Sequence, residues 1–198
     1  MRIHLIPCSD PYSRKHHKDT IEKLVPKNKI INFVKVNEIQ KILKDENYAC
    51  WGVTNAKNNS NFKKWEKMKT GDICLMYRDK IFFSAGKIIT RFKNKELSED
   101  LWGLNKDGLP WENMFLIDEI KKISIPINVL NNLMNYSPKF ILQGYLTYNE
   151  LISEKILAEF DLLNWNSPFY TSNCETDEDK NLRIKEQLKS IHQTDSLN

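Results

Sequence analysis

Two apolar runs, Ile73-Cys74-Leu75-Met76-Tyr77 and Ile81 to about Phe92, stand on either side of Arg78-Asp79-Lys80. Strand-forming runs joined by two turn residues fold back on each other as an antiparallel hairpin. The middle of the chain is therefore committed to a β-sheet. Tyr48 to Thr54 reads as a strand, and Met114 to Ile125 is read as alternating apolar and polar positions at its start, as a strand should, before Pro126 ends it.

Helical segments are inserted between these strands. Phe62, Trp65 and Met68 recur every three residues after a Ser60 or Asn61 cap, with Lys63, Lys64, Lys67 and Lys69 around the flanks. Thr70-Gly71-Asp72 turns this helix into the hairpin. Glu96 to Leu101 reads as a short acidic helix, and Asn105-Lys106-Asp107-Gly108 is a loop of turn residues. Asn128 to Leu133 predicts a small helix, Ser137 to Gly144 crosses back, and Thr147 opens a last helix to about Leu163.

Upstream, Arg2 to Pro7 reads as a strand and Ser13 to Val25 as a basic helix that Pro26 stops. Lys29 to Val36, apolar and β-branched, predicts a strand, and Asn37 caps a helix with Ile39, Ile42 and Leu43 on one side. No βαβ rhythm and no glycine-rich phosphate loop is present. The class is α+β: a small curved β-sheet or barrel flanked by helices. Residues 1–46 form a strand and helix extension packing on the core, 47–168 the core domain, and 169–198 a polar linker or outgoing helix.

Composition excludes several classes. The 198 residues hold no apolar run of about 18 that could span a bilayer, and Met1 to Pro7 is too short for a secretory signal. A cytoplasmic protein without membrane partners is expected. Cys8, Cys50, Cys74 and Cys174 are scattered without a Cys-x-x-Cys pair, so neither disulfides nor a zinc site is indicated. His16-His17 lack a second ligand pair and are read as solvated; no metal or cofactor is expected. The acidic residues show no nuclease-like pattern, the serines no nucleophile elbow, and Ser9 or Cys8 near His16-His17 has unspecific spacing. A binding module is favoured over an enzyme.

The formal charge of +4 conceals an asymmetry: residues 1–93 carry a net +11, residues 94–170 a net −5 and residues 171–198 a net −2. A basic first half can steer and neutralise a polyanion. Four of the five tryptophans lie between Tyr48 and Trp111. Trp65, at helical spacing with Phe62 and Met68, belongs to the core. Trp51 on a strand suits core and site equally, and so does Tyr77. Trp102 and Trp111 sit in a loop rich in Gly, Asn and Asp, where burial is harder and binding residues are common.

The order of motifs resembles a known family. A strand carrying Trp51-Gly52-Val53-Thr54-Asn55 is followed by the Trp65 and Met68 helix and by Lys69-Thr70-Gly71-Asp72. An apolar strand ending in Tyr77-Arg78 and a hairpin into Phe83-Ser84-Ala85-Gly86-Lys87-Ile88 come next, then Leu101-Trp102-Gly103 and Pro110-Trp111-Glu112. The succession, over about residues 47 to 146, is similar to an EVE domain of the PUA-like superfamily. That superfamily also contains YTH readers of methylated adenine in RNA. The chain likewise resembles the modified-base-reading amino-terminal modules of Mcr-type restriction proteins.

The resemblance implies a PUA-like fold and a reader that extrudes a modified, methylated base of DNA into an aromatic cage. Trp51 would be the first wall, Trp102 and Trp111 the others, with Tyr77 beside them and Asn55 or Ser84 bonding the base edge. Lys63, Lys64, Lys67, Arg78, Lys80, Arg91 and Lys93 would hold the nucleic-acid backbone. Each base–indole stack is worth about 1–3 kcal/mol, enough for two or three to offset an unstacking cost of a few kcal/mol. A motor or nuclease component in another domain or subunit is implied as partner. The alternatives are a reader of methylated RNA, and a domain whose aromatic pocket takes a peptide or small molecule.

Overall fold

The computed structural model describes residues 1–163 apart from Val36 and the Glu38 side chain. The expected acidic tail and the weak helix over 182–191 lie outside the described residues, as does Trp165. In chain order the elements are β1 (Ile3–Pro7), α1 (Pro11–His17) running into a π-helical turn (Lys18–Glu22), β2 (Val25–Pro26), α2 (Lys27–Phe33) and α3 (Asn37–Ile42). There follow β3 (Asn47–Val53), a 3-10 turn (Lys57–Asn59), α4 (Ser60–Trp65), β4 (Ile73–Arg78) and β5 (Ile81–Lys93). The last are α5 (Lys95–Trp102), β6 (Asn113–Pro126), α6 (Ile127–Leu133), β7 (Leu146–Thr147) and α7 (Glu150–Glu159).

The strands form one mixed sheet in the order β2-β3-β6-β5-β4-β1-β7, so the class is α+β. The β4–β5 hairpin forms as expected: Asp79 and Lys80 both take positive φ, +52° and +65°, which a two-residue turn matched to strand twist requires. β5 and β6 are long, and their pairing shifts register at Phe82/Ser84, Ala85/Lys87 and Ile88/Thr90. Such bulges bend and coil a strand pair, which lets these two strands serve several packing layers.

Three apolar clusters hold the sheet. Ile3, Leu5, Leu75 and Phe82 pack under α6 and α7 through Leu130, Ile156 and Phe160. Trp51, Met76 and Phe115 meet Trp65 and Met68 of the α4 segment. Val25, Ile30 and Val34 meet Leu97, Met114 and Leu116. Trp65 is core, 5% exposed, and its indole N–H donates to the Met114 carbonyl at 3.0 Å.

Several local expectations are corrected. Lys29 to Val36 is not a strand: α2 occupies Lys27–Phe33. Within α2 Ile30 is buried, and Val34, extended just past the helix end, joins the same third cluster, so this packing overrides the strand preference of β-branched residues. The basic helix starts at Pro11 behind an Asp10 cap and ends with the π-helical turn at Glu22, before Val25. The last helix starts at Glu150, where the Asn149 side chain accepts from the Ile152 N–H, leaving Leu146 and Thr147 to β7. Residues 1–46 supply an interior strand, because β1 lies between β4, which it pairs in parallel, and β7.

One buried polar network ties this strand down. His4, fully buried, places Nδ1 2.8 Å from the Tyr145 hydroxyl and Nε2 3.1 Å from Asp72 Oδ2. Asp72 also accepts from the N–H groups of Arg2 and Lys69, each at 2.8 Å. Burial alone would raise the Asp72 pKa, but the bonds from His4, Arg2 and Lys69 hold it below the usual carboxylate range. No helix among the described residues is long and apolar enough to cross a membrane.

Candidate nucleic-acid interface

β3 carries the geometry. Along one side it pairs with β6, Trp51 opposite Phe115 and Gly52 opposite Met114. Along the other side β2 covers Asn47 and Tyr48. The π-helical turn takes over from there, placing the Thr20 hydroxyl 2.7 Å from the Cys50 carbonyl. Successive strand residues point to opposite faces, so Trp51 and Gly52 address different layers. A Cβ on Gly52 would lie 2.7 Å from Cζ3 of Trp102 and closer still to the Trp111 carbonyl oxygen. The missing side chain is what lets both tryptophan segments close onto this strand.

The connection between those segments is short and self-bonded. α5 ends at Trp102, and Gly103 (φ +73°) reverses the chain. Asn105 then closes the loop: its side chain accepts from the N–H groups of Asp107 and Leu109, and its N–H donates to the Leu109 carbonyl at 3.0 Å. Trp111 is thereby returned beside Trp102 as β6 begins.

The three tryptophans meet on a fourth ring. The His16 imidazole stacks on Trp102 with centroids 5.2 Å apart and planes at 27°. It stands edge-on to Trp111 at 4.3 Å and to Trp51 at 6.3 Å. Tyr12, one helical turn earlier on α1, lies 6.0 Å from Trp111 and is exposed. Trp51 and His16 are buried, while Trp102 and Trp111 are partly exposed. Burial lowers the His16 pKa to about 4, so the imidazole is neutral at pH 7. The buried N–H of Trp102 has no acceptor among the described residues.

A polar brace stands at the end of β3. Asn113, fully buried, donates through Nδ2 to the Val53 carbonyl (3.1 Å) and to Asn55 Oδ1 (2.8 Å). Asn55 donates in turn to Glu112 Oε1 at 2.9 Å, which also faces Lys93 Nζ at 3.1 Å. Asn55 is thus beside Trp111 with both ends of its amide engaged.

The other expected site residues lie elsewhere. Tyr77 is buried on β4 against Phe82, within the cluster under α6 and α7. Ser84 is buried on β5 opposite Met76, two strands from β3. Among the cations, Lys63, Lys67 and Lys80 are exposed. Lys64 donates to the Tyr145 carbonyl at 2.6 Å, Arg78 covers the Phe83 ring at 4.5 Å, and Arg91 covers Trp65 at 4.6 Å while donating to the Met68 carbonyl.

His16 and His17 are not solvated: they are 3% and 7% exposed. His17 packs edge-on to Phe83 at 5.1 Å and bonds Glu22 Oε1 at 3.1 Å. The missed signal was the spacing of Tyr12 and His16, four apart, which puts two rings on one side of α1. Cys8 is no activated nucleophile, since burial pushes its thiol up to about 12 and it donates to the Ser13 carbonyl. Among the described residues no three His, Cys, Asp or Glu side chains gather as metal ligands.

The molecule is thus an α+β domain with an aromatic cluster at one sheet edge, bordered by a basic helix. No protein-family model and no curated protein matches the sequence. Among solved structures, the N-terminal domain of Thermococcus gammatolerans McrB bound to m5C DNA aligns with 83% of this chain and 99% of its own, at a TM-score of 0.60 and 13% identity. The Pho92 YTH domain in complex with m6A aligns with 80% of this chain and 85% of its own, at a TM-score of 0.47 and 11% identity. The chain shares its fold with the McrB domain, so the motif order that resembles Mcr-type modules corresponds to a common architecture.

Proposed function

We propose that this chain is a modified-base reader that binds DNA and receives an extruded, methylated base between Trp102, Trp111 and Trp51. The carrying observation is the convergence of three tryptophans from three chain segments on the His16 ring at the β3 edge. Trp65 is buried and bonded within the core, and Trp51 is as buried as Trp65. Trp102 and Trp111 instead keep part of their surface exposed, and the Trp102 N–H is an unspent donor for a base edge. Flat apolar walls reward a base that carries an extra methyl group, because the added area leaves water.

The fold shared with a domain solved on m5C DNA supports DNA as the ligand. Asn55 acts as a positioning residue for the Trp111 segment, and Tyr77 and Ser84 act through packing. Lys63, Lys67 and Lys80 contact phosphates; Lys64, Arg78, Arg91 and Lys93 contribute charge from positions already bonded within the chain. Cleavage or translocation belongs to another domain or subunit of a restriction system.

The test is fluorescence anisotropy with matched duplexes and single strands, unmodified or carrying 5-methylcytosine or 6-methyladenine, at two salt concentrations. Tighter binding to one modified probe, abolished in Trp102→Ala, is expected. Equal binding to every probe with a steep salt dependence would reduce the function to a basic surface. Preference for a methylated RNA strand would reassign the ligand, and no binding would favour a peptide or small-molecule pocket.

A further inference from the structure

We propose that His16 is a built-in occupant of the aromatic cage and that a base is admitted by exchange with it; this rests on the base-reading function proposed above. The imidazole lies where the three indoles converge, and at 3% exposure it is buried. His4 and His17, the other two described histidines, are held by directed bonds to Asp72, Tyr145 and Thr147, and to Glu22. The His16 ring has no such bond among the described residues and is held by ring contacts. Those are the contacts a nucleobase would make with the same walls.

The local structure suits an exchange. α1 is short, and its polar tether to the hairpin is surface-exposed: Arg14 to Asp79 at 2.9 Å. Directly after His17 the helix widens into the π-helical turn, a winding that departs from the ordinary helical ladder and is frequent at functional positions. Tyr12, outside His16 on the same helix side and against Trp111, marks the outward path. An occupant of this kind lowers the apparent affinity of every base that needs the cage by the fraction of time the cage stands empty. Contacts of the phosphate backbone with surface lysines are unaffected by it.

The experiment compares wild type, His16→Ala and His16→Phe, each checked for a cooperative thermal transition, on the preferred modified duplex and its unmodified twin. Removing the ring is expected to tighten binding of the modified duplex about two- to tenfold, the equilibrium equivalent of one lost aromatic pair contact. The salt slope and the affinity for the unmodified duplex stay constant. His16→Phe, which keeps a ring in place, gains nothing. In parallel, ring-proton NMR of labelled histidine in the wild type reads the exchange directly. The His16 signals, displaced by the indole ring currents, move toward free-histidine positions on addition of the modified duplex and not of the unmodified one.

Weaker binding by folded His16→Ala, or His16 signals that keep their displaced positions when the modified duplex is bound, would overturn the exchange and make the imidazole a fixed wall. If His16→Ala fails to fold, the wild-type NMR result decides. A wild type with no preference for any modified probe would sink the base-reading function itself, whereas preference with an unmoved His16 would sink the exchange alone.

Discussion

Gly52 and Trp102 touch without room for a side chain between them: a Cβ on Gly52 would stand 2.7 Å from the indole ring. The Trp111 backbone crosses the same glycine, so the walls of the cluster are set from one residue of β3. Gly52→Ala must push both segments outward. The expected result is a loss of about 1–3 kcal/mol of stability from overpacking, read as a lower denaturant midpoint. Any preference for a modified probe disappears in the folded variant while salt-dependent binding persists. A variant that keeps the preference would show that the walls tolerate displacement.

Trp65 separates core from site. It is buried, and its N–H bond to the Met114 carbonyl is inside the second cluster. Trp65→Phe removes that bond and part of the buried ring and is expected to cost about 1–3 kcal/mol in urea unfolding. The ratio of affinities for modified and unmodified probes should not change.

Acid should loosen the fold before the carboxylates titrate. The His16 pKa falls from its ordinary 6.5 to about 4 on folding, because burial opposes the charged ring, and His17 shifts in the same direction. The unfolded chain therefore takes up the proton first. The stability that depends on neutral His16 is complete above about pH 6.5 and is lost progressively as pH falls toward 4. The expected decrease from His16 is on the order of 2 kcal/mol between pH 7 and 4.5. Urea titrations across that range, with His16→Phe showing the shallower slope, check it.

Asp72 joins the amino terminus to the α4–β4 turn. Asp72→Ala leaves the partly buried N–H groups of Arg2 and Lys69 and the buried His4 ring without their partner. A destabilisation of about 3 kcal/mol or more is expected. Hydrogen exchange should show β1 and β7 losing protection first, since β1 is attached through this network.

The cations divide by what they already hold. Lys63→Ala and Lys80→Ala, at exposed positions, should each lower the salt slope of DNA binding by about one without changing the preference for modification. Arg91→Ala should instead lower thermal stability, because Arg91 covers Trp65 and bonds the Met68 carbonyl.

Much of the sheet was legible because its cues are local. The Asp79-Lys80 turn, the Pro126 stop of β6 and the helix after Ser60 each state their own geometry. The expected alternation at the start of β6 is instead a continuous buried run from Asn113 to Ile117, and the helix expected to reach Met68 ends at Trp65. Lys29 to Val36 is not a strand although Ile and Val favour strands when considered singly, because α2 buries Ile30, followed by the extended Val34, in the cluster that holds Met114 and Leu116. The π-helical turn after His17 has no composition of its own. It follows from Thr20 reaching the β3 edge at Cys50.

The candidate site divides in the same way. The loop rich in Gly, Asn and Asp nominated Trp102 and Trp111, and the resemblance carried by the order of motifs added Trp51, which its strand left even between core and site. Residue order could not show that Tyr77 and Ser84 are placed away from the cluster, because facing is decided by strand order and by the bulges of β5. Nor could it show that a histidine read as solvated lies among the tryptophans. Local spacing determines which face of α1 carries Tyr12 and His16; only the packing of that helix against the free edge of β3 decides that the face is buried, and against what.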